Sequence, residues 1–353
     1  MTREGAAPWW VRSTLFGTGG VQGLDGAAHR TRKAMLLGLL MNGALARLVE
    51  RMDAEWARAV RSWEGRRRVC VADAAAGVLA RGVCDWAGVV VPERDLDERT
   101  RQLRLLFDAA GDLGLSHWRA VLARRRLERW LGEMVEAVRA GRVEADGATA
   151  LSVIALHEDE RGERLGPRVA AVELLNILRP TVAIAVYVTF LARALVRRPG
   201  LAARLRAGDE ALAGSLVQET RRHSPFFPFA AAVTRRAFEW RGTRLEAGRR
   251  VLLDLYGINH DARRWRRPDR FEAERFIGRE VGAFEMAPQG GGDHWTGHRC
   301  AGEWTTIALL RQALDVLATR MSFSAPSQNL KTEWRRLPAL PRSGVMIENV
   351  RRR

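Results

Sequence analysis

Apolar positions fall into helical order along most of the chain. Leu45, Leu48, Val49, Met52, Trp56, Val60 and Trp63 recur at steps of three and four, which puts their side chains on one face of an α-helix. After a polar, charged stretch, Trp118, Val121, Leu122, Trp130, Leu131, Met134, Val135 and Val138 largely repeat the spacing and predict a second such helix. From Val169 to Val196 the chain is apolar in nearly every direction, which predicts a helix buried on all sides. At about 1.5 Å per residue it runs roughly 40 Å, enough to cross a whole domain. Beyond Pro225 the texture changes. Phe238 to Trp240, the turn at Arg241-Gly242 and the run Val251 to Tyr256 read as short strands. Glycines crowd residues 290–297, and a further helical pattern follows Cys300. The predicted fold is mainly α with a small β portion. No repeat or low-complexity linker divides it, so residues 1–353 are expected to form one domain.

Composition narrows the class. Hydrophobic residues at 47% and charged residues at 28% describe a globular protein with a real core, not a disordered chain. The net charge of +17 is carried almost wholly by arginine, with Lys33 and Lys331 the only lysines. These arginines are scattered, whereas a nucleic-acid binder gathers its charge where phosphates lie, so no nucleic-acid partner is expected. Cys70, Cys84 and Cys300 form no CxxC pair and leave one thiol over from any disulfide, which fits a reducing compartment. The opening MTREGAAPWW lacks the apolar run of a signal peptide. Thr181 to Leu191, bounded by Arg179 and Arg193, falls short of the roughly 20 residues of a membrane span. The chain reads as cytoplasmic.

The densest chemistry lies in PQGGGDHWTGHRCAGE. A thiolate that ligates haem iron needs a loop whose backbone comes close to the porphyrin, and glycine permits this. His298 and Arg299 beside Cys300 supply positive charge that favours a thiolate. A helix starting near Glu303 places its N-terminus behind the sulfur, to the same effect. Taken alone, the segment describes a buried structural cysteine equally well. Upstream, Glu219 and Arg222 stand three apart on a helix and share a face. Arg275 follows in FEAERF.

ExxR, then an ERF box, then a glycine-rich loop ending in HRCAG is the order of motifs in cytochromes P-450, and the chain resembles that family. The resemblance implies the cytochrome P-450 fold, haem b ligated by Cys300, and a buried ion network of Glu219, Arg222 and Arg275 behind the cysteine loop. One departure stands out. The family loop has Phe seven residues before the cysteine and Gly four before it, where this chain has Asp293 and Thr296. Extra residues are expected between the glycine run and GHRC.

Arg179-Pro180 interrupts the all-apolar stretch in NILRPTVAIAV. Pro180 cannot donate to the carbonyl of Asn176, so a kink is predicted there. Burying an unpaired guanidinium costs several kcal/mol, and Glu173, six positions earlier, is poorly placed to answer it. A bound carboxylate would match the guanidinium fork with two parallel bonds. An arginine snorkelling from a helix surface is the other reading.

Ordinary cytochromes P-450 carry an acid–alcohol pair at this place. With Arg-Pro instead, and with TLFGTGGVQGLDGAAH, VLLDLYGINHD and GGG…GHRCAG, the chain is similar to the bacterial fatty-acid peroxygenases. That resemblance implies a long-chain fatty acid and hydrogen peroxide as partners, with no redox partner required. It implies hydroxylation at the α or β carbon, the substrate carboxylate on Arg179 acting as proton shuttle. Gln22 matches a position near the reactive end of the substrate, often His in alkene-forming relatives. Phe16, Phe226 and Phe229 match residues lining the acyl channel, although aromatics serve cores as readily. His29 and Lys33 resemble a clamp on the haem propionates, or else a solvated helix face. The family also has several tens of residues before TLFG that are expected to be missing here, leaving the strand at Val251 to Tyr256 with an unpaired edge. A decarboxylase making terminal alkenes, a conventional monooxygenase, and an inactive truncated binder of haem or fatty acid are the alternatives.

Overall fold

The computed structural model describes residues 1–143 and 147–353. Helices dominate it. Asn42–Trp63 buries Ala44, Leu48, Met52, Trp56, Val60 and Trp63, the face its spacing predicted, with Leu45 and Val49 half-buried at its margin. It packs on Val71–Trp86, whose alanines admit a close approach. Leu115–Arg139 departs from expectation. Its inner face is His117, Ala120, Val121, Ala123, Arg124, Leu127, Leu131 and Val135, while Trp118 and Leu122 are 57% and 52% exposed. The small Ala120 and Ala123 turn inward, where the helix meets Pro167–Ala183, and the bulky pair is left outside.

The all-apolar stretch forms two helices end to end, Pro167–Ala183 and Ala185–Arg197. The chain stays helical through Pro180, and the interruption comes four residues on, at Ile184. There the Ile184 N–H donates to Thr181 O at 3.1 Å, a tightened turn in place of the regular i−4 bond. By length and composition Pro167–Arg197 could cross a membrane, a longer apolar span than its bounding arginines suggested, but it is enclosed by protein. A contiguous apolar cluster runs from Leu15 to Val350 around it. Each fully buried leucine or isoleucine in it contributes about 1.5–3 kcal/mol.

The β portion is small, as predicted. Val69–Cys70, Met346–Arg352 and Met321–Ser324 form an antiparallel sheet in that order. Phe238–Trp240 and Thr243–Leu245 make the hairpin expected at Arg241-Gly242. The strand placed at Val251 to Tyr256 is Arg250–Asp254; Asp254 accepts from Gly257 N at 2.7 Å and starts the helical turn Leu255–Asn259. This strand pairs with Phe229–Val233 on one side, and its other edge has no strand partner among the described residues.

Candidate active site

Glu219, Arg222 and Arg275 meet as expected. Both Glu219 oxygens accept from Arg222 at 2.8 Å, and Arg275 Nε donates to Oε2 at 3.0 Å. The remaining guanidinium protons go to main chain. Arg222 reaches Asn259 O at 2.7 Å and Pro268 O at 3.0 Å, and Arg275 reaches Arg266 O at 2.6 Å. All three side chains are buried, which is tolerable because nearly every charge-bearing atom is answered. The network ties Glu210–His223 to the segment leading into the cysteine loop.

In the cysteine loop the glycines let the chain fold on its own backbone: a Cβ on Gly297 would lie 2.7 Å from Asp293 O, and one on Gly290, at φ 91°, 3.3 Å from Arg299 Cα. Asp293 and Thr296, the two departures from the family pattern, form a local turn in which the Asp293 carboxylate accepts from Trp295 N, Thr296 N and the Thr296 hydroxyl. Cys300 follows directly, its N–H bonded to Gln289 O at 3.0 Å, ahead of helix Glu303–Asp315. Burial pushes its thiol up; the Gly302 N–H, Gln289 and Lys33 pull the other way. Arg299, expected to favour the thiolate, is taken by Glu303 at 2.5 Å, and His298 lies 3.4 Å from Asp25.

His29 and Lys33 do face this loop from helix Gly26–Leu40. Lys33 Nζ donates to the carbonyls of Gly297 and Arg299, and the His29 ring lies 4.0 Å from that of His298. They are not two cations, however. Burial, then His298 and Lys33, hold His29 down to about 4, so it is neutral at pH 7.

A second buried chain escaped the sequence reading. Glu303 accepts from Arg221 at 2.5 Å, Arg221 donates to Gln289 Oε1 at 3.1 Å, and Gln289 Nε2 points at the Cys300 sulfur at 3.8 Å and at Thr306 Oγ1 at 3.0 Å. Its bonded partners lie up to 82 residues apart, so no local pattern announces them.

Arg179 is 5% exposed, and among the described residues no hydrogen bond or ion pair satisfies its buried Nε. Glu173 is indeed engaged elsewhere, accepting from Arg32 at 2.7 Å, Val21 N at 2.8 Å and Asn176 at 2.9 Å. Burial first, then the nearby Arg124, push the Arg179 guanidinium down to about 9, while Cys300 pulls it up. It therefore remains a cation at neutral pH, close enough to feel the sulfur. Arg124, also missed, is held by Glu128 at 2.7 Å and by the carbonyls of Thr14 and Leu15, and Gly17 is needed because a Cβ there would collide with it. Gln22 sits in the turn Val21–Gly23 that Glu173 clamps, its buried Oε1 unpartnered. A Cβ on Gly20 would lie 3.2 Å from that oxygen and 2.9 Å from Asn176 Nδ2, which places Gln22 beside the Arg179 helix. Phe16 packs half-buried on the core, and Phe226 stacks on Tyr187 at 4.7 Å. Phe229, expected in an acyl channel, is instead 45% exposed at the start of the β ribbon.

A haem group suits this arrangement. A half-buried Cys300 and, unpartnered among the described residues, the buried Gln22 Oε1, Arg179 Nε and Tyr187 hydroxyl are what a large group with a polar ligand above it would satisfy. Known proteins agree. The cytochrome P-450 family model matches residues 212–311, the stretch holding Glu219, Arg222, Arg275 and Cys300. Cytochrome P450SP alpha in complex with (R)-ibuprofen superimposes with TM-score 0.96 at 45% identity, over 99% of this chain and 86% of that one. Cytochrome P450EX alpha with myristic acid does so with TM-score 0.95 at 41% identity, over 100% and 85%. By sequence, cytochrome P-450 137 of Mycobacterium tuberculosis is 26% identical over 368 residues, 98% of this chain and 75% of that protein. The chain belongs to the cytochrome P-450 family. Within it, the chain stands in the fatty-acid peroxygenase branch, a haem-thiolate oxidoreductase with hydrogen peroxide as oxidant.

Proposed function

We propose that the chain is one cytoplasmic haem domain, residues 1–353, that hydroxylates long-chain fatty acids at the α or β carbon, with Cys300 as iron ligand. The observation that carries this is Arg179, a buried cation with no carboxylate partner among the described residues, within electrostatic reach of Cys300. Bound haem supplies the oxidising chemistry; the net reaction takes one fatty acid and one peroxide to one hydroxy acid and one water. Arg179 holds the substrate carboxylate through paired N–H bonds, fixing the near end of the chain. An arginine stays protonated and is no general base, so the proton is moved by the carboxylate that it holds. Gln22, with a free amide oxygen beside that helix, orients the reactive end. The flanks of the clamp, His29 and Lys33 with His298, suit anionic propionates, Lys33 by exchanging its carbonyl partners for them.

Arg179→Ala is expected to leave haem bound and to reduce peroxide-driven turnover of a long-chain acid by about 10²-fold or more, the scale of losing a positioned partner. Wild-type turnover in that variant would overturn the assignment. Product analysis separates hydroxy acids from the terminal alkenes of a decarboxylase.

A further inference from the structure

Helix Leu115–Arg139 has an outer face that its role in the core does not explain. Leu115 is 78% exposed, Trp118 57% and Leu122 52%, at positions i, i+3 and i+7 of one helical stripe. The stripe continues into its surroundings. Trp118 meets His117 edge-on at 5.5 Å, His117 meets Trp9 at 5.4 Å, and Trp9, itself 54% exposed, meets Trp10 at 5.9 Å. Leu113, just before the helix, is 61% exposed. Scattered exposed leucines mean little, but a continuous patch of tryptophan and leucine marks a surface that meets something apolar.

What it meets is indicated by charge. Arg119, Arg125, Arg126 and Arg129 are exposed on the same helix and take part in no ion pair among the described residues. From Leu115 to Leu131 the one acid is Glu128, which is buried and held by Arg124 and Arg168. Another copy of this chain, at +17, would bring like charge to that surface. An anionic lipid bilayer brings the opposite charge at the headgroups and an apolar interior beneath. Tryptophan and arginine suit that boundary, the ring at headgroup level and the guanidinium among phosphates.

We propose that Trp9, Leu113, Leu115, Trp118 and Leu122, with the four arginines behind them, seat the protein reversibly on anionic lipid bilayers. The proposal extends the fatty-acid reading, because a long-chain acid partitions into such bilayers and would be met there, but the contact itself does not require turnover.

The test is sedimentation of the haem-loaded protein with vesicles of phosphatidylglycerol and phosphatidylcholine, and with phosphatidylcholine alone. Binding is expected to the anionic vesicles, weakening with salt, with little to the neutral ones. The triple variant Leu115→Ser/Trp118→Ser/Leu122→Ser, altered at exposed sites only, is expected to bind them about tenfold or more weakly. Its peroxide-driven turnover of a detergent-dispersed fatty acid should equal that of the wild type. Failure of the wild type to sediment, or unchanged binding by the triple variant, would overturn the proposal. So would a wild-type dimer on size exclusion that the triple variant abolishes, since the patch would then be a self-interface. If the wild type binds vesicles and oxidises no fatty acid, the functional reading fails and the lipid contact stands.

Discussion

Gln289 shows how one side chain couples the interior ion pairs to the candidate iron ligand. Its oxygen is occupied by Arg221, which orients the amide so that the N–H side faces the Cys300 sulfur. A donor aimed at a thiolate stabilises the negative charge on sulfur and withdraws density from whatever the sulfur binds. Gln289→Leu is expected to retain haem and lower its reduction potential by some tens of millivolts, read by spectroelectrochemistry. An unchanged potential would show that the amide acts only on Arg221. The same variant leaves a buried guanidinium short of an acceptor and should lose about 1–3 kcal/mol of stability in a urea titration. Arg179 was legible in the sequence because a lone charge in an apolar run stands out locally. Gln289, Arg221 and Arg124 were not, because each also depends on a partner 68 to 110 residues away.

Between elements, the most consequential link is Glu173, which joins helix Pro167–Ala183 to the turn Val21–Gly23 and, through Arg32, to helix Gly26–Leu40. Its carboxyl is wholly buried, and burial raises it above the usual carboxylate range despite Asn176, Arg32 and the Val21 N–H. Removing it would strand Arg32, 6% exposed, as an unpaired interior cation. Glu173→Ala is therefore expected to cost about 3–5 kcal/mol, measured by chemical denaturation. It should also release the Gln22 turn, lowering peroxide-driven turnover; a loss under 1 kcal/mol, roughly that of a surface pair, would show the clamp to be dispensable. At this scale periodicity read well where one face alone is buried, as in Asn42–Trp63. It misled for Leu115–Arg139, where the inward face is chosen by small alanines and an inward-turned Arg124, and spacing alone cannot rank a small residue above a large one. The break at Ile184, four residues past Pro180, lies equally beyond a rule that sees only the proline.

For the whole molecule, the histidines decide how stability follows pH. Six of the seven are held below their ordinary value, with burial the first cause in each: His29 and His223 to about 4, and His157, His260, His294 and His298 in the same direction. In the unfolded chain these rings take up protons near pH 6.5. In the folded chain all six take up protons only at lower pH, His29 and His223 nearer pH 4, so below about pH 6.5 the unfolded state binds more protons and gains from acidification. Stability is fully present above about pH 6.5 and falls as pH drops toward 4. Asp25 and Asp261, held down to about 2, contribute stability above the ordinary carboxylate range and lose it only as pH falls through their folded values, so they do not shape this window. Glu173 and Glu55, raised by burial, oppose the trend, but they start from 4.5 and are two against six. Each added proton also enlarges a charge that already stands at +17. The melting temperature is therefore expected to fall by several degrees between pH 7 and pH 5, and His29→Gln/His223→Gln should flatten that slope if it folds. A wild-type melting temperature that holds or rises over the same interval would mean that these rings are charged in the folded protein, and that His29 offers the candidate propionate clamp a second cation after all.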